Sequence, residues 1–235
     1  MSMSKVYLRV ERVDAALCAQ AKSVSVADLH EAMGSPACRM QTMGPSMRPL
    51  LQGVRIAGPA ITAFCAPGDN LMMHRALYLA QAGDVLVVSA IDSGAQWGDV
   101  AAYYALKKGL AATIVDGFVR DVDDLRAMGS ATWATKIGPS SPMKMGHGAV
   151  NAPIVCDGVR VEPGDLVVAD GDGVIVLPRR DAPAIVARAL ARSEREVAQR
   201  AEIDAGLHPW HLHGAAANYE KMEVEEIDAT WKDLL

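Results

Sequence analysis

Aromatic side chains are scarce: they make up 5% of the 235 residues, with only two phenylalanines. A core must then come from alanine, valine, leucine and glycine, which suit helices packed closely on sheets. Cysteine is scarce too. Cys18, Cys38, Cys65 and Cys156 stand far apart with no Cys-x-x-Cys, which argues against a disulfide scaffold and predicts reduced, buried thiols. No apolar run approaches the ~20 residues of a membrane span. Residues 1–11 lack the apolar stretch of a signal peptide, so the expectation is a cytoplasmic protein with no membrane partner. A basic excess is missing as well: 23 Lys and Arg against 28 Asp and Glu leave a net charge of −5. Arg188, Arg192, Arg195 and Arg200 are interleaved with Glu194, Glu196 and Glu202, a solvated helix face, so no nucleic-acid partner is expected. Phosphate-loop, dinucleotide and Gly-x-Ser-x-Gly fingerprints are all absent.

What is present is ordinary for a folded chain: 51% hydrophobic and 22% charged residues, enough apolar surface for a core. Residues 13–34 read as one or two helices stopped by Gly34, and residues 35–51 as an irregular connection. From residue 55 the pattern is regular. A β-run over 55–66 is broken at Gly58-Pro59, and a helix over 71–81 is capped by Asp69 or Asn70. A continuous apolar strand follows over 84–90, then a loop over 91–98 and a helix over 99–108 closed by Gly109. A strand over 111–115, a loop over 116–121 and a short helix over 122–128 complete an alternation that implies a largely parallel sheet. Later β-runs at 131–136, 154–156, 159–161, 166–169 and 174–177 include two hairpin signals, Asp157-Gly158 and Asp172-Gly173. A long helix over 181–205, with Asp181 as N-cap, precedes a weakly helical tail.

Two loops fall where chemistry is expected. Ligands of open α/β sheets gather at the carboxyl ends of strands, and Gln96-Trp97-Gly98-Asp99 and Asp116-Gly117-Phe118-Val119-Arg120-Asp121 both follow buried strands. Gly98 lets the backbone approach a ligand, and the N–H groups of Val100 and Ala101 at a helix start can hold an anion. Arg120 can clamp a carboxylate or a developing enolate. Asp99 and Asp121 are hard oxygen donors suited to Mg²⁺ or Mn²⁺, with water filling most positions. A plainer reading fits at least as well from spacing alone: Asp99 and Asp121 as N-caps, and Arg120 as a surface ion-pair partner.

An ordered set of short motifs spans about residues 24 to 205: Gly58-Pro59-Ala60, Pro67-Gly68-Asp69-Asn70, Ala82-Gly83-Asp84-Val85, Asp116-Gly117-x-x-Arg120-Asp121, Pro163-Gly164-Asp165 and Ala169-Asp170-Gly171-Asp172-Gly173-Val174. Together they resemble the RraA-like family, which includes the 4-hydroxy-4-methyl-2-oxoglutarate / 4-carboxy-4-hydroxy-2-oxoadipate aldolases. The family's aldolases are similar in carrying an Asp, twenty residues, then Arg-Asp, the spacing of Asp99 and Arg120-Asp121. The resemblance implies one α/β domain of the phosphohistidine-swivelling type, an α/β/β sandwich. It would comprise an N-terminal helical lead (1–53), an α/β core (54–180) and a long C-terminal helix with its tail (181–235).

The resemblance further implies a divalent-metal-dependent (class II) pyruvate aldolase. It would cleave a C–C bond of a 4-hydroxy-2-oxo di- or tricarboxylic acid of aromatic catabolism and decarboxylate oxaloacetate through the same enolate. Asp121 would bind Mg²⁺ (or Mn²⁺), and Arg120 would hold the pyruvate part and stabilise its enolate. Asp99 would order a proton-carrying water, and Gly98 with the amides of Val100 and Ala101 would receive the carboxylate. Glu31 and Glu196 match acidic residues near the family's metal, Glu196 from an adjacent subunit of a homotrimer or homohexamer. Phe118 departs from the small residue common before Val-Arg-Asp and would reshape the pocket. The family also contains regulators of ribonuclease activity that bind a protein, so a non-catalytic interaction module is the alternative.

Weaker signals have plainer explanations. His208, His211 and His213 could form a zinc site, but no suitable cysteine or carboxylate accompanies them, and a polar tail with a docked Trp210 is favoured. Asp170-Gly171-Asp172-Gly173 resembles the start of a calcium loop, yet position twelve is Asp181 rather than Glu, which favours a hairpin turn. Ser140-Ser141 and Gly146-His147-Gly148 read as a flexible stretch. Met40, Met43, Met47, Met72 and Met73 read as core or interface filler.

Overall fold

Side-chain caps start the first two helices. Asp14 accepts from the Leu17 amide at 2.7 Å and Ser25 from the Asp28 amide at 3.0 Å, opening α1 (Ala15–Ser23) and α2 (Val26–Met33). The computed structural model describes residues 4–90, 94–212 and 214–234. They fall into two compact units, Met1–Ala191 and Arg192–Leu235.

The first unit begins with β1 (Lys5–Val6), α1 and α2, followed by α3 (Ala37–Gln41) and β2 (Arg48–Pro49). The region expected to be irregular thus holds a short helix and an edge strand, hidden in sequence by its prolines and lack of periodicity. The alternating part comprises β3 (Ile56–Cys65), α4 (Leu71–Leu79), β4 (Val85–Ala90), β5 (Ala95–Trp97), α5 (Asp99–Lys108), β6 (Ala112–Val119), α6 (Val122–Ala127) and β7 (Thr132–Ile137). Then come β8 (Gly148–Val150), β9 (Ile154–Cys156), β10 (Val159–Val161), β11 (Leu166–Ala169), β12 (Val174–Leu177) and α7 (Ala182–Asp204), which continues into the second unit.

Strands β3, β4, β6 and β7 lie parallel and adjacent, as the alternation predicts. Two loop expectations need correction. The backbone of 116–119 stays extended as the end of β6, because Phe118 and Val119 pair with β7 and β5. Part of the 91–98 loop is the short strand β5 on the other side of β6, while residues 91–93 lie outside the described residues.

β4 shows why Val85 to Val88 are all apolar. Leu86 and Val88 pack with Met73, Trp97 and Leu125 beneath α4–α6. Val85 and Val87 face the opposite layer, with Ile114, Trp133, Val167 and Val176. A third apolar cluster joins Leu29, Leu166, Ile175, Leu177 and Val186 under α2 and the start of α7. The layers are therefore helices, parallel sheet, β-hairpins and helices. The hairpins β9–β10 and β11–β12 form where the Asp-Gly pairs foretold, and Asp170-Gly171-Asp172-Gly173 is the turn of the second.

At Gly58-Pro59 strand β3 changes partners. Residues 56–59 pair antiparallel with β11, and residues 60–65 pair parallel with β4. A Cβ on Gly58 would fall 2.2 Å from the Gly83 carbonyl, so only glycine permits this approach. Cys38, Cys65 and Cys156 are buried, and all four thiols are free. Of the five methionines expected as core or interface filler, Met43, Met47, Met72 and Met73 are in the core and Met40 is 68% exposed.

The second unit carries the rest of α7, a 3-10 turn at Pro209–His211 and α8 (Ala215–Lys221). Trp210 is 42% exposed and meets Tyr219 edge-on at 5.1 Å. His208 caps the Trp210 amide, and His213 lies outside the described residues. Among the described residues no helix is long and apolar enough to cross a membrane.

Candidate active site

The carboxyl ends of β3, β5, β6 and β7 open onto one cleft of about 210 Å³. Its floor is the start of α5, with Gly98, Asp99, Val100 and Ala101, and Arg120 forms one side. β5 is held to the end of β6 by the Arg120 amide, which donates to the Trp97 carbonyl at 3.0 Å. Asp121 then takes a left-handed conformation, φ 55°, unusual for a residue with a side chain, and turns the chain from β6 into α6.

These two strand ends converge on Gly98. A Cβ there would fall 2.6 Å from Asp121 Oδ2 and 3.2 Å from Arg120 Nε, so the glycine leaves the space both side chains occupy. Arg120 Nε donates to Asp121 Oδ2 at 3.2 Å, and the Asp99 amide donates to the same oxygen at 3.3 Å. Arg120 Nη1 donates to Ser141 Oγ at 2.9 Å. Gly98 provides no side chain to cap α5, so its first-turn amides face the cleft as a helix N-terminus suited to an anion.

The other walls were not foreseen. Asn70, His74 and Met73 come from the start of α4, and Pro142 and Lys144 from the loop after β7. Burial, followed by the nearby Lys144, lowers the His74 pKa below its usual value, against the pull of Asp69, so the imidazole is neutral at pH 7. Asn70 Oδ1, Gln96 Oε1 and Trp97 Nε1 are buried without a hydrogen-bond partner, and all three residues line the cleft. A signal for Asn70 lay in Pro67-Gly68-Asp69-Asn70 at a strand end, and His74 follows one helical turn later. Nothing local marked Lys144, which arrives by tertiary contact. The stretch expected to be flexible is pinned: Ser140 accepts from the Ala95 amide at 2.9 Å, and Ser141 holds Arg120.

Gly98, Asp99, Val100, Ala101 and Arg120 thus share one cleft, with Asp121 bonded to two of them. Glu31 is an exposed residue of α2 and does not line the cleft. Glu196 belongs to the second unit, where it pairs with Arg192 at 3.1 Å and Arg200 at 3.9 Å. Phe118 stacks under Lys136 at 5.4 Å and fills the space over Gly138 instead of entering the cleft. The donor chemistry at Gly98 fits a hard divalent cation. Among the described residues no three His, Cys, Asp or Glu side chains cluster for a metal. Asp121 and Asp99 are two oxygen donors, which suits an ion that keeps most of its water.

Residues 26–176 match the family described as RraA-like: Aldolase/RraA. A Halalkalibacterium halodurans protein, provisionally named 4-hydroxy-4-methyl-2-oxoglutarate aldolase, is 34% identical over 177 residues, which cover 70% of this chain and 84% of that one. Among solved structures, a Streptomyces coelicolor protein described as an unusual member of the RNase ES inhibitor RraA family is 32% identical. Its TM-score is 0.73, with 82% of this chain and 99% of that chain covered. An uncharacterized Pseudomonas syringae protein is 25% identical with a TM-score of 0.74, covering 84% of this chain and 96% of its own. The mixed α/β architecture is the one these structures share.

Proposed function

We propose that this chain, which belongs to the RraA-like family, is a divalent-metal-dependent lyase that releases pyruvate from a 4-hydroxy-2-oxo acid. The observation that carries this reading is the convergence of Arg120 and Asp121 on the side-chain-free surface of Gly98, with the Asp99 amide bonded to Asp121. The pyruvate carboxylate sits against the amides of Val100 and Ala101, where the helix N-terminus favours negative charge. The Arg120 guanidinium faces the 2-oxo group. Two of its N–H groups are held by Asp121 and Ser141, which fixes its plane and leaves others for the substrate. Asp121, with Asp99 beside it, would hold Mg²⁺ or Mn²⁺, which supplies positive charge to polarise the 2-oxo group.

Cleavage removes the proton of the 4-hydroxyl, breaks the C3–C4 bond and leaves the electron pair in the pyruvate enolate. A proton returned to C3 completes the balance. Preorganised donors that meet this charge are worth most in a cleft that excludes water. Asp99 orders the water through which the proton moves. Loss of CO₂ from oxaloacetate gives the same enolate, so decarboxylation belongs to the same site. Among the described residues Asp99 is the one carboxylate that lines the cleft, with Asp121 bonded beside it, and completion by Glu31 or Glu196 of a neighbouring copy in a homotrimer or homohexamer fits that sparse donor set. A cytoplasmic location accords with this metabolite chemistry.

The test is coupled pyruvate detection with 4-hydroxy-4-methyl-2-oxoglutarate and with oxaloacetate, in Mg²⁺ and after EDTA. Turnover that EDTA abolishes and Mg²⁺ restores is expected. Activity indifferent to EDTA, or none, overturns the reading. In that event the likeness to the Streptomyces coelicolor protein favours a non-catalytic module that binds a ribonuclease.

A further inference from the structure

The loop after β7 is tied down along its length by the segment that precedes α4. The Met143 amide donates to the Gly68 carbonyl at 2.7 Å, and the Asn70 amide donates to the Met143 carbonyl at 3.0 Å. One side chain secures the far end. Asp69, only 2% exposed, accepts the Leu71 amide on Oδ1 at 2.8 Å. Its Oδ2 accepts the amides of Met145 and Gly146 at 2.5 and 2.7 Å. Gly146 has no room for a side chain: a Cβ would fall 2.7 Å from Asp69 Cβ and Cγ and 2.9 Å from Ala66 Cβ. An ionised carboxylate only accepts, and this one is surrounded by donors. Burial works against ionisation. The amides of Leu71, Met145 and Gly146, with Lys144 nearby, outweigh it and hold the Asp69 carboxyl below its ordinary value.

The clasped loop carries Ser141, which holds Arg120, and Pro142 and Lys144, which wall the cleft. We infer that Asp69 is a positioning residue for the reaction: by gripping residues 145 and 146 it fixes the loop that orients the Arg120 guanidinium. It touches no substrate and acts through Ser141. This inference rests on the cleft being the enolate site.

Two substitutions break the clasp from opposite sides in the full chain. Asp69→Asn keeps the size but turns one acceptor into an NH₂ that faces N–H donors. Gly146→Ala leaves Asp69 intact and pushes the loop off it. The measurements are amide hydrogen exchange over residues 141–147, and kcat and KM for oxaloacetate with Mg²⁺. In both variants the Met145 and Gly146 amides should exchange at least about tenfold faster. In both, kcat should fall about tenfold or more with KM changed less, because a displaced Arg120 loses its fit to the enolate. A purely structural role would leave the kinetic constants of the folded protein unmoved. Unchanged kcat with accelerated exchange overturns the positioning role, and unchanged exchange in both variants overturns the clasp. An unsubstituted protein with no oxaloacetate turnover overturns the enolate reading instead, whatever the exchange rates show.

Discussion

The helix-covered and hairpin-covered sides of the main sheet each carry a carboxylate bonded to backbone, and the two are poised in opposite ways. On the cleft side Asp69 is buried and surrounded by amides, so its ionised form is favoured. On the hairpin side Asp157, half-buried at the β9–β10 turn, is pushed upward by burial and by Asp116, whose Oδ2 accepts the Asp157 amide at 2.8 Å. One Asp157 oxygen is buried without a partner. The signs for stability follow. The Asp69 contribution is in place above the ordinary carboxylate value of 3.8 and fades as pH falls through its lower folded value. The Asp157 contribution is in place below 3.8 and is lost as pH rises through its higher folded value. The contrast teaches that Asp69 is arranged to hold a geometry, while Asp157 is tolerated at a cost to stability.

That division predicts where substitutions act. The largest effects should be on turnover. Asp121→Ala and Arg120→Lys should each lower pyruvate-enolate turnover by about 10²-fold or more, with little change in melting temperature; near-normal turnover in either would remove the assigned roles. Next is Gly98→Ala. Its methyl would displace Asp121 and Arg120, and kcat/KM should fall by roughly 10- to 100-fold while the far-ultraviolet circular dichroism stays that of the parent. The smallest effect lies across the sheet. Asp157→Asn relieves the repulsion from Asp116 and should raise the melting temperature at pH 7 by ~2 °C, with turnover unchanged. The gain should shrink as pH falls through the raised Asp157 value, where the parent's own carboxyl takes up its proton. A variant that instead lost activity would dissolve the distinction between the two sides.

Much of the scaffold was readable because local chemistry and tertiary outcome agree. β4 is apolar from Val85 to Val88 on both faces, α5 is closed by Gly109 in the left-handed conformation, and both Asp-Gly pairs turn hairpins. Where Asp116 and Gly117 interrupt the apolar run, β6 nonetheless continues, since its neighbours on both sides dictate the extension. The short α3 was hidden for another reason: Ala37, Arg39, Met40 and Gln41 favour a helix, but a five-residue element between Pro36 and Thr42 is too short to show a period. For the candidate site, the strand-end rule and the family resemblance led to Asp99 and Arg120, which share a cleft, and to Asp121, which is bonded to both. Asn70, His74, Ser141 and Lys144 escaped because they come from two separate chain segments, and the order of residues along one carries no record of the other.

β3 belongs to two sheets at once, with the hand-over at Gly58-Pro59. Neither sheet can peel away without withdrawing a strand from the other. Rupture at the β11–β12 layer should therefore travel to the floor beneath α4, and the whole of this layered region should melt as one cooperative block.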